Sequence, residues 1–305
     1  MKKVLILGSG SIALKHIKNL LELNYYVLVY TKNKSFDIKN TNIEKLHYIN
    51  NIPKIHFAII ANKTSDHLKY IKLLIKKKIH IYCEKPIFFK KFDFLDIKKK
   101  IKMNNLIFHC GYQLLQDTKV IYLKNKLKNL KIKSFTAEVG HNFEKWRNYK
   151  NIKDKYFSNT KKGGGTIFEL VHEINLVQEL FGRISNIKSF KLMSKKYKCE
   201  DVVTSIIYTS KNIIGTLYQD MYSKSLFRKL RVITSQTTFV IDFAKNQIFK
   251  NDKILKIKGK NTQQILLRRN LIEFITKIKL KDKSTINYDI AVNDLKTCIK
   301  MHEKK

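Results

Sequence analysis

The chain has 305 residues, 44% of them hydrophobic, and a formal net charge of +38 from 62 Lys+Arg against 24 Asp+Glu. That apolar content sustains real cores and excludes a disordered chain; the length fits two domains, and no apolar run reaches the roughly 18 residues of a membrane span. The charge is spread along the chain and carried by lysine, with only six arginines, which reads as a solvated surface rather than a nucleic-acid patch or arm.

The opening MKKVLILGSG has a basic tip, but its apolar run is too short for a signal peptide and breaks at Gly8. KVLIL predicts a strand, GSGSIA a loop, and LKHIKNLLELN a helix. YYVLVYTKN, HFAIIAN, IHIYCE and NLIFHCG predict four more strands, with helices over SDHLKYIKLLIKKK and FDFLDIKKKIKM between the later ones. Strands alternating with helices imply a parallel, doubly wound Rossmann sheet in residues 1–115. Residues 116–305 read differently. A helix near 117–128 and a strand at KIKSFTAEVG lead into a polar loop. A strong helix, GGGTIFELVHEINLVQELFG, follows and ends at Gly182. Seven strand-like runs with few helices between them predict an open, mostly antiparallel sheet, and the tail from about residue 262 is helical. The fold class is therefore α/β with a second α+β domain.

Cys83, Cys110, Cys199 and Cys298 have no zinc or redox spacing, so no metal is implied and the thiols read as reduced in a cytoplasmic protein. Glycine is scarce, and five of ten sit in two motifs. GSGSIA fits the dinucleotide fingerprint between a strand and a helix. Gly8 would turn the chain, Gly10 would admit a pyrophosphate, and Ala13 is small enough for helix packing; Ser9, Ser11 and Ile12 complete the loop. No acid stands about 20 residues on. Thr31 and Lys32 do, a donor and a cation that lean the cofactor choice from NAD toward NADP, unless Lys32 is one more surface lysine.

Four segments together resemble the Gfo/Idh/MocA (glucose–fructose oxidoreductase/inositol dehydrogenase/MocA) family: GSGSIALKH, AIIANKTSDH, CEKP and GGGTIFELVHEIN. The resemblance spans residues 1 to about 182. It implies an NAD(P)-dependent oxidoreductase acting on a sugar, and homo-oligomers built through the C-terminal sheet. Glu169 replaces the usual Asp, Asn175 stands where an Asp is common, and Lys63 replaces a proline.

Hydride transfer to or from a carbinol needs a proton acceptor or donor. His172 titrates nearest working pH, and Glu169, His172, Asn175 and Glu179 would share one polar side of their helix. Lys85 ends a strand where doubly wound sheets bind ligands, and an ammonium there would stabilise an alkoxide. Pro86 follows it, and a cis Lys85–Pro86 bond is expected. Glu84 would orient backbone or the cofactor amide, or serve the structure alone. Ala61, Asn62 and Thr64 border the cofactor, with His67 capping or packing beside it. Tyr112, Gln113 and Asn175 are candidate substrate contacts. Trp146 and Arg147 suit stacking on a sugar or base and pairing with phosphate, or anchoring of their loop. A nucleotide sugar of surface-polysaccharide biosynthesis is the expected substrate class. A non-catalytic nucleotide sensor, and a lyase or glycosidase working by transient oxidation, are the alternatives.

Overall fold

Val4 to Leu7 are fully buried, as a strand covered on both faces must be. They belong to β1 (Lys2–Leu7), the centre of a six-stranded sheet in the computed structural model, which describes residues 1–142, 144, 155–193 and 197–303. Trp146 and Arg147 lie outside the described residues. The chain divides into two units, one holding Met1–Gln113 with Thr262–Val292, the other Leu114–Asn261 with the residues from Asn293 on.

In the first unit, β2 (Tyr25–Tyr30), β3 (Ile43–Lys45), β4 (Ala58–Ile60), β5 (Ile81–Cys83) and β6 (Phe108–Cys110) join β1 in the order β3-β2-β1-β4-β5-β6, all parallel. Five of the six are expected from the sequence. β3 is not: it is a three-residue, partly exposed edge strand with no periodic apolar signal. Helices α1 (Ser11–Glu22), α2 (Thr64–Lys76) and α3 (Phe94–Met103) follow β1, β4 and β5. The strand order reverses between β1 and β4, which makes the carboxyl ends there the ligand-binding crevice of such a sheet. One face of the sheet is closed by α1, through Ile17 and Leu20, and by Leu271, Phe274 and Ile278 of the tail. The Phe274 ring meets Phe57 edge-on at 5.2 Å and Tyr82 at 5.7 Å.

The second unit contains α4 (Thr118–Leu127), β7 (Ile132–Gly140), α5 (Thr166–Glu169) and α6 (Val171–Phe181). Strands β8 (Ile184–Met193), β9 (Glu200–Thr209), β10 (Ile214–Asp220), β11 (Phe227–Thr234), β12 (Thr238–Asp242), β13 (Gln247–Lys250) and β14 (Lys253–Ile254) follow. With β7 they form an eight-stranded sheet in the order β14-β13-β12-β11-β7-β10-β9-β8, antiparallel except where β10 lies parallel to β7. Alternation sets its two faces. Phe135, Ala137, Val203, Leu217 and Leu230 are buried, and Phe135 stacks on Phe181 of α6 at 4.4 Å. Gly215 makes room for that ring: a Cβ there would sit 2.5 Å from it. On the opposite face Phe190, Ile206, Tyr208 and Ile214 are exposed. The tail forms α7 (Gln263–Lys279) and α8 (Ile286–His302). Among the described residues no helix is long and apolar enough to cross a membrane, and the four cysteines are buried and unbridged.

Candidate active site

Each unit supplies a cluster of polar groups, and the first is built around the loop from β1 to α1. Gly8 has φ +129, and a Cβ on it would lie 2.5 Å from the Ala61 carbonyl oxygen, so only glycine allows β1 and β4 to approach this closely. Gly10 is the N-cap of α1, makes no side-chain cap, and has nothing within 4 Å of an added Cβ. The first-turn N–H groups of α1 have no acceptor within the helix and stand at the positive end of its dipole, with the space beside Gly10 open. Ser9 Oγ lies 2.7 Å from Thr31 Oγ1, which also accepts from the Asn33 N–H, while Lys32 is exposed. Asn62 follows β4, and its Oδ1 is buried without a partner among the described residues. A dinucleotide fits these features. The cradle at Gly10 would take the pyrophosphate, and Asn62 Oδ1 would gain a partner from the nicotinamide end.

The Glu84-Lys85-Pro86 segment leaves β5 beside this crevice. The Lys85–Pro86 bond is cis, as the sequence leads one to expect, and Lys85 is half-buried. Glu84 is buried and its Oε1 accepts from His16 Nε2 at 2.7 Å. Its backbone N–H donates to the Ile60 carbonyl, the last such bond before the segment turns. Gly111 is pressed against the same carboxylate: a Cβ there would lie 3.1 Å from Glu84 Oε1. His67 is buried in the first turn of α2. Nδ1 lies 2.9 Å from the Pro86 carbonyl oxygen and 3.6 Å from Cys83 Sγ, and Nε2 lies 3.2 Å from the Asn62 carbonyl oxygen. Burial pushes this imidazole below its ordinary range, against the two carbonyls. Thr64 is buried at the start of α2, Tyr112 is buried after β6, and Gln113 keeps a buried Oε1 without a partner among the described residues.

In the second unit the predicted single helix is two. Leu170, at φ −103 and ψ 31, separates α5 from α6, so Glu169 and His172 belong to different helices. Two buried side chains hold that break. Gln219 Nε2 of β10 donates to the Leu170 carbonyl at 2.8 Å, and Glu200 Oε1 of β9 accepts the Ile167 N–H at 3.1 Å, capping α5. Thr160 Oγ1 also donates to Glu200, at 3.2 Å. Gly165, at φ +99, is the only residue type that fits beside it, since a Cβ would come within 2.5 Å of Glu200 Oε1. The polar side expected on this helix is not solvated: Glu169, His172 and Asn175 are 7%, 7% and 1% exposed. Asn175 Nδ2 donates to Asp294 Oδ2 at 2.9 Å, so its amide secures α8 and its carbonyl oxygen is what remains for a ligand. Glu173 is buried with Arg228 Nε 2.7 Å away. Burial pushes the Glu200 carboxyl up to about 7, opposed by the hydrogen bonds from Ile167 and Thr160. His302, stacked on Phe168 at 4.8 Å with Nε2 3.5 Å from Glu200, is pushed down to about 4 by burial and by Lys191.

Sequence reasoning passed over Glu200, Gln219 and Asp294. The adjacent acids Glu200 and Asp201, opening a strand in a lysine-rich chain, were a usable signal. Gln219 gave none, being one polar residue among several in an alternating strand.

Residues 2–112 match the Gfo/Idh/MocA family, described as an oxidoreductase family with an NAD-binding Rossmann fold. A curated relative, the 2,7-anhydro-N-acetylneuraminate hydratase of Escherichia coli (strain K12), is 23% identical over 155 residues, 50% of this chain. The match spans only 41% of that relative's length. Among solved structures, UDP-N-acetylglucosamine 3-dehydrogenase from Acidithiobacillus ferrooxidans has a TM-score of 0.81 at 12% identity, covering 98% of this chain and 96% of that one. Levoglucosan dehydrogenase in complex with NADH and L-sorbose has a TM-score of 0.84, also at 12% identity, with 98% and 96% covered. At these identities the likeness is one of fold.

Proposed function

We propose that this chain, whose residues 2–112 match the Gfo/Idh/MocA oxidoreductases with an NAD-binding Rossmann fold, transfers a hydride between a nicotinamide and a sugar or nucleotide-sugar carbon. The observation that carries the reading is the open approach at Gly10 in front of an uncapped helix N-terminus. The nicotinamide, when bound, supplies the hydride chemistry. The chain supplies the rest. First-turn N–H groups of α1 hold the pyrophosphate, and the Lys85 ammonium stabilises the substrate alkoxide. His172 takes or returns the hydroxyl proton, with Glu169 as the second acid. Tyr112, Gln113 and the Asn175 carbonyl are the substrate contacts of this reading among the described residues. The Ser9–Thr31 hydroxyl pair beside exposed Lys32 supports NADP over NAD, because a 2′-phosphate needs donors and a cation where an acid would repel it.

The exposed residues Phe190, Ile206, Tyr208 and Ile214 support a homo-oligomer through the outer face of the eight-stranded sheet; Ile206→Lys should dissociate it in sedimentation velocity. The catalytic reading is tested by titrating NADPH and NADH, then screening sugars and nucleotide sugars for cofactor oxidation or reduction. Lys85→Ala and His172→Ala should each abolish most turnover while binding cofactor. Intact turnover in both would end the assignment. The name of the Escherichia coli relative, a hydratase, favours a second reading in which oxidation is transient. Turnover without net reduced cofactor would select it.

A further inference from the structure

The residues on either side of Lys85 are each held by a buried side chain. Two buried histidines flank it. His16 of α1 holds Glu84, the residue before, through the 2.7 Å contact to its carboxylate. His67 of α2 holds Pro86, the residue after, through the 2.9 Å contact to its carbonyl oxygen.

The His67 ring is 1% exposed, and burial disfavours its charged form. A neutral imidazole has one N–H and can donate to one of the two carbonyls it faces. The shorter contact assigns that proton to Nδ1, with Pro86 as acceptor. Nε2 then turns its lone pair toward the Asn62 carbonyl at 3.2 Å. This arrangement places one ring between the loop after β4 and the loop after β5, both at the nucleotide crevice.

We propose that His67 is a positioning residue for Lys85: its Nδ1–H fixes the Pro86 carbonyl and with it the backbone from which the lysine projects. The inference rests on Lys85 meeting the substrate, as in the function proposed above. An ångström of misplacement at a reacting group costs on the order of 10²-fold in rate, so the tie is worth that much if it sets the lysine's position.

Three substitutions separate this role from packing. His67→Asn keeps a donor where Nδ1 stands, His67→Gln extends its amide toward the Nε2 side, and His67→Leu keeps only apolar volume. In Gln and Leu, kcat should fall on the order of 10²-fold, with KM and the NADH Kd little changed, and Asn should recover most of the loss. A second readout needs no substrate: trinitrobenzenesulfonate labelling of Lys85, mapped by mass spectrometry across pH. Its profile should move in Gln and Leu and stay at the parent position in Asn. Equal losses in Asn and Leu, or a Lys85 profile unmoved in Leu, would overturn the proposal. If Leu does not fold, the Asn–Gln comparison decides. Absence of turnover in the parent would count against the proposed reaction alone, since the labelling series still tests His67.

Discussion

Gly8 and Gly10 stand two residues apart in one loop, yet alanine should act on them in opposite ways. At Gly8 the cost falls on folding. An L-residue at φ +129 is strained by about 1–3 kcal/mol. Its Cβ would also lie 2.5 Å from the oxygen and 2.8 Å from the carbon of the Ala61 carbonyl, both backbone atoms that cannot swing away. Moving β1 from β4 adds about 1–3 kcal/mol of overpacking, and at about 2–4 °C per kcal/mol the melting temperature should drop by roughly 4–24 °C. At Gly10, φ is −76 and an added methyl meets nothing, so Gly10→Ala should melt within about 3 °C of the parent, the small loss being one of N-cap preference. Its cost falls on binding. The methyl occupies the approach to the first-turn N–H groups, and losing one or two charge-assisted bonds at about 1.5–3 kcal/mol each weakens the dinucleotide on the order of 10²-fold. The assay is a thermal melt without ligand beside a fluorescence titration with NADH and NADPH. If Gly10→Ala binds both cofactors as the parent does, the cradle has been misread. If Gly8→Ala melts with the parent, the steric reasoning is wrong.

Glu200→Gln should gain on the parent as pH rises. Burial lifts the folded carboxyl to about 7, so the folded state keeps a proton that the unfolded chain releases above about 4.5, and the parent loses up to about 3 kcal/mol across that window. The variant is free of this loss, and melts from pH 4.5 to 8 should show the gap widening and then levelling. His302 gives the opposite slope. Its folded form is pushed down to about 4, so it adds stability as pH rises from there to about 6.5, and the comparison should be repeated in His302→Gln to remove it. Arg228→Met removes the cation 2.7 Å from buried Glu173 and should cost about 3 kcal/mol in urea unfolding, partly restored by adding Glu173→Gln. Lys32→Asp should favour NADH over NADPH by at least about tenfold in Kd, because the new carboxylate repels a 2′-phosphate and accepts from a 2′-hydroxyl.

Much of the first unit was legible because its elements are local. KVLIL is apolar on both faces, GSGSIA breaks it with the only residues that permit the turn, and the alternation of strands and helices allows few arrangements. Lys85–Pro86 could be singled out because proline is so rare here. The edge strand Ile43–Lys45 escaped notice, since three half-exposed residues carry no period. The glycine-led helix was found but not its break, because Leu170 is an ordinary helix former; the break is held by Gln219 and Glu200, 49 and 30 residues further along the chain.

Sequence by itself determined the two sheets, their predominant strand directions and the glycine cradle, all consequences of period, turn chemistry and backbone freedom. Tertiary structure decided which polar residues are engaged with protein. It gave Asn175 to Asp294, Glu84 to His16, and His67 Nδ1 to the Pro86 carbonyl. Those pairings join positions 19 to 119 residues apart wherever they cross between elements. The reason is desolvation: once buried, a polar atom must find a partner in the fold, and only folding determines which one lies within 3 Å.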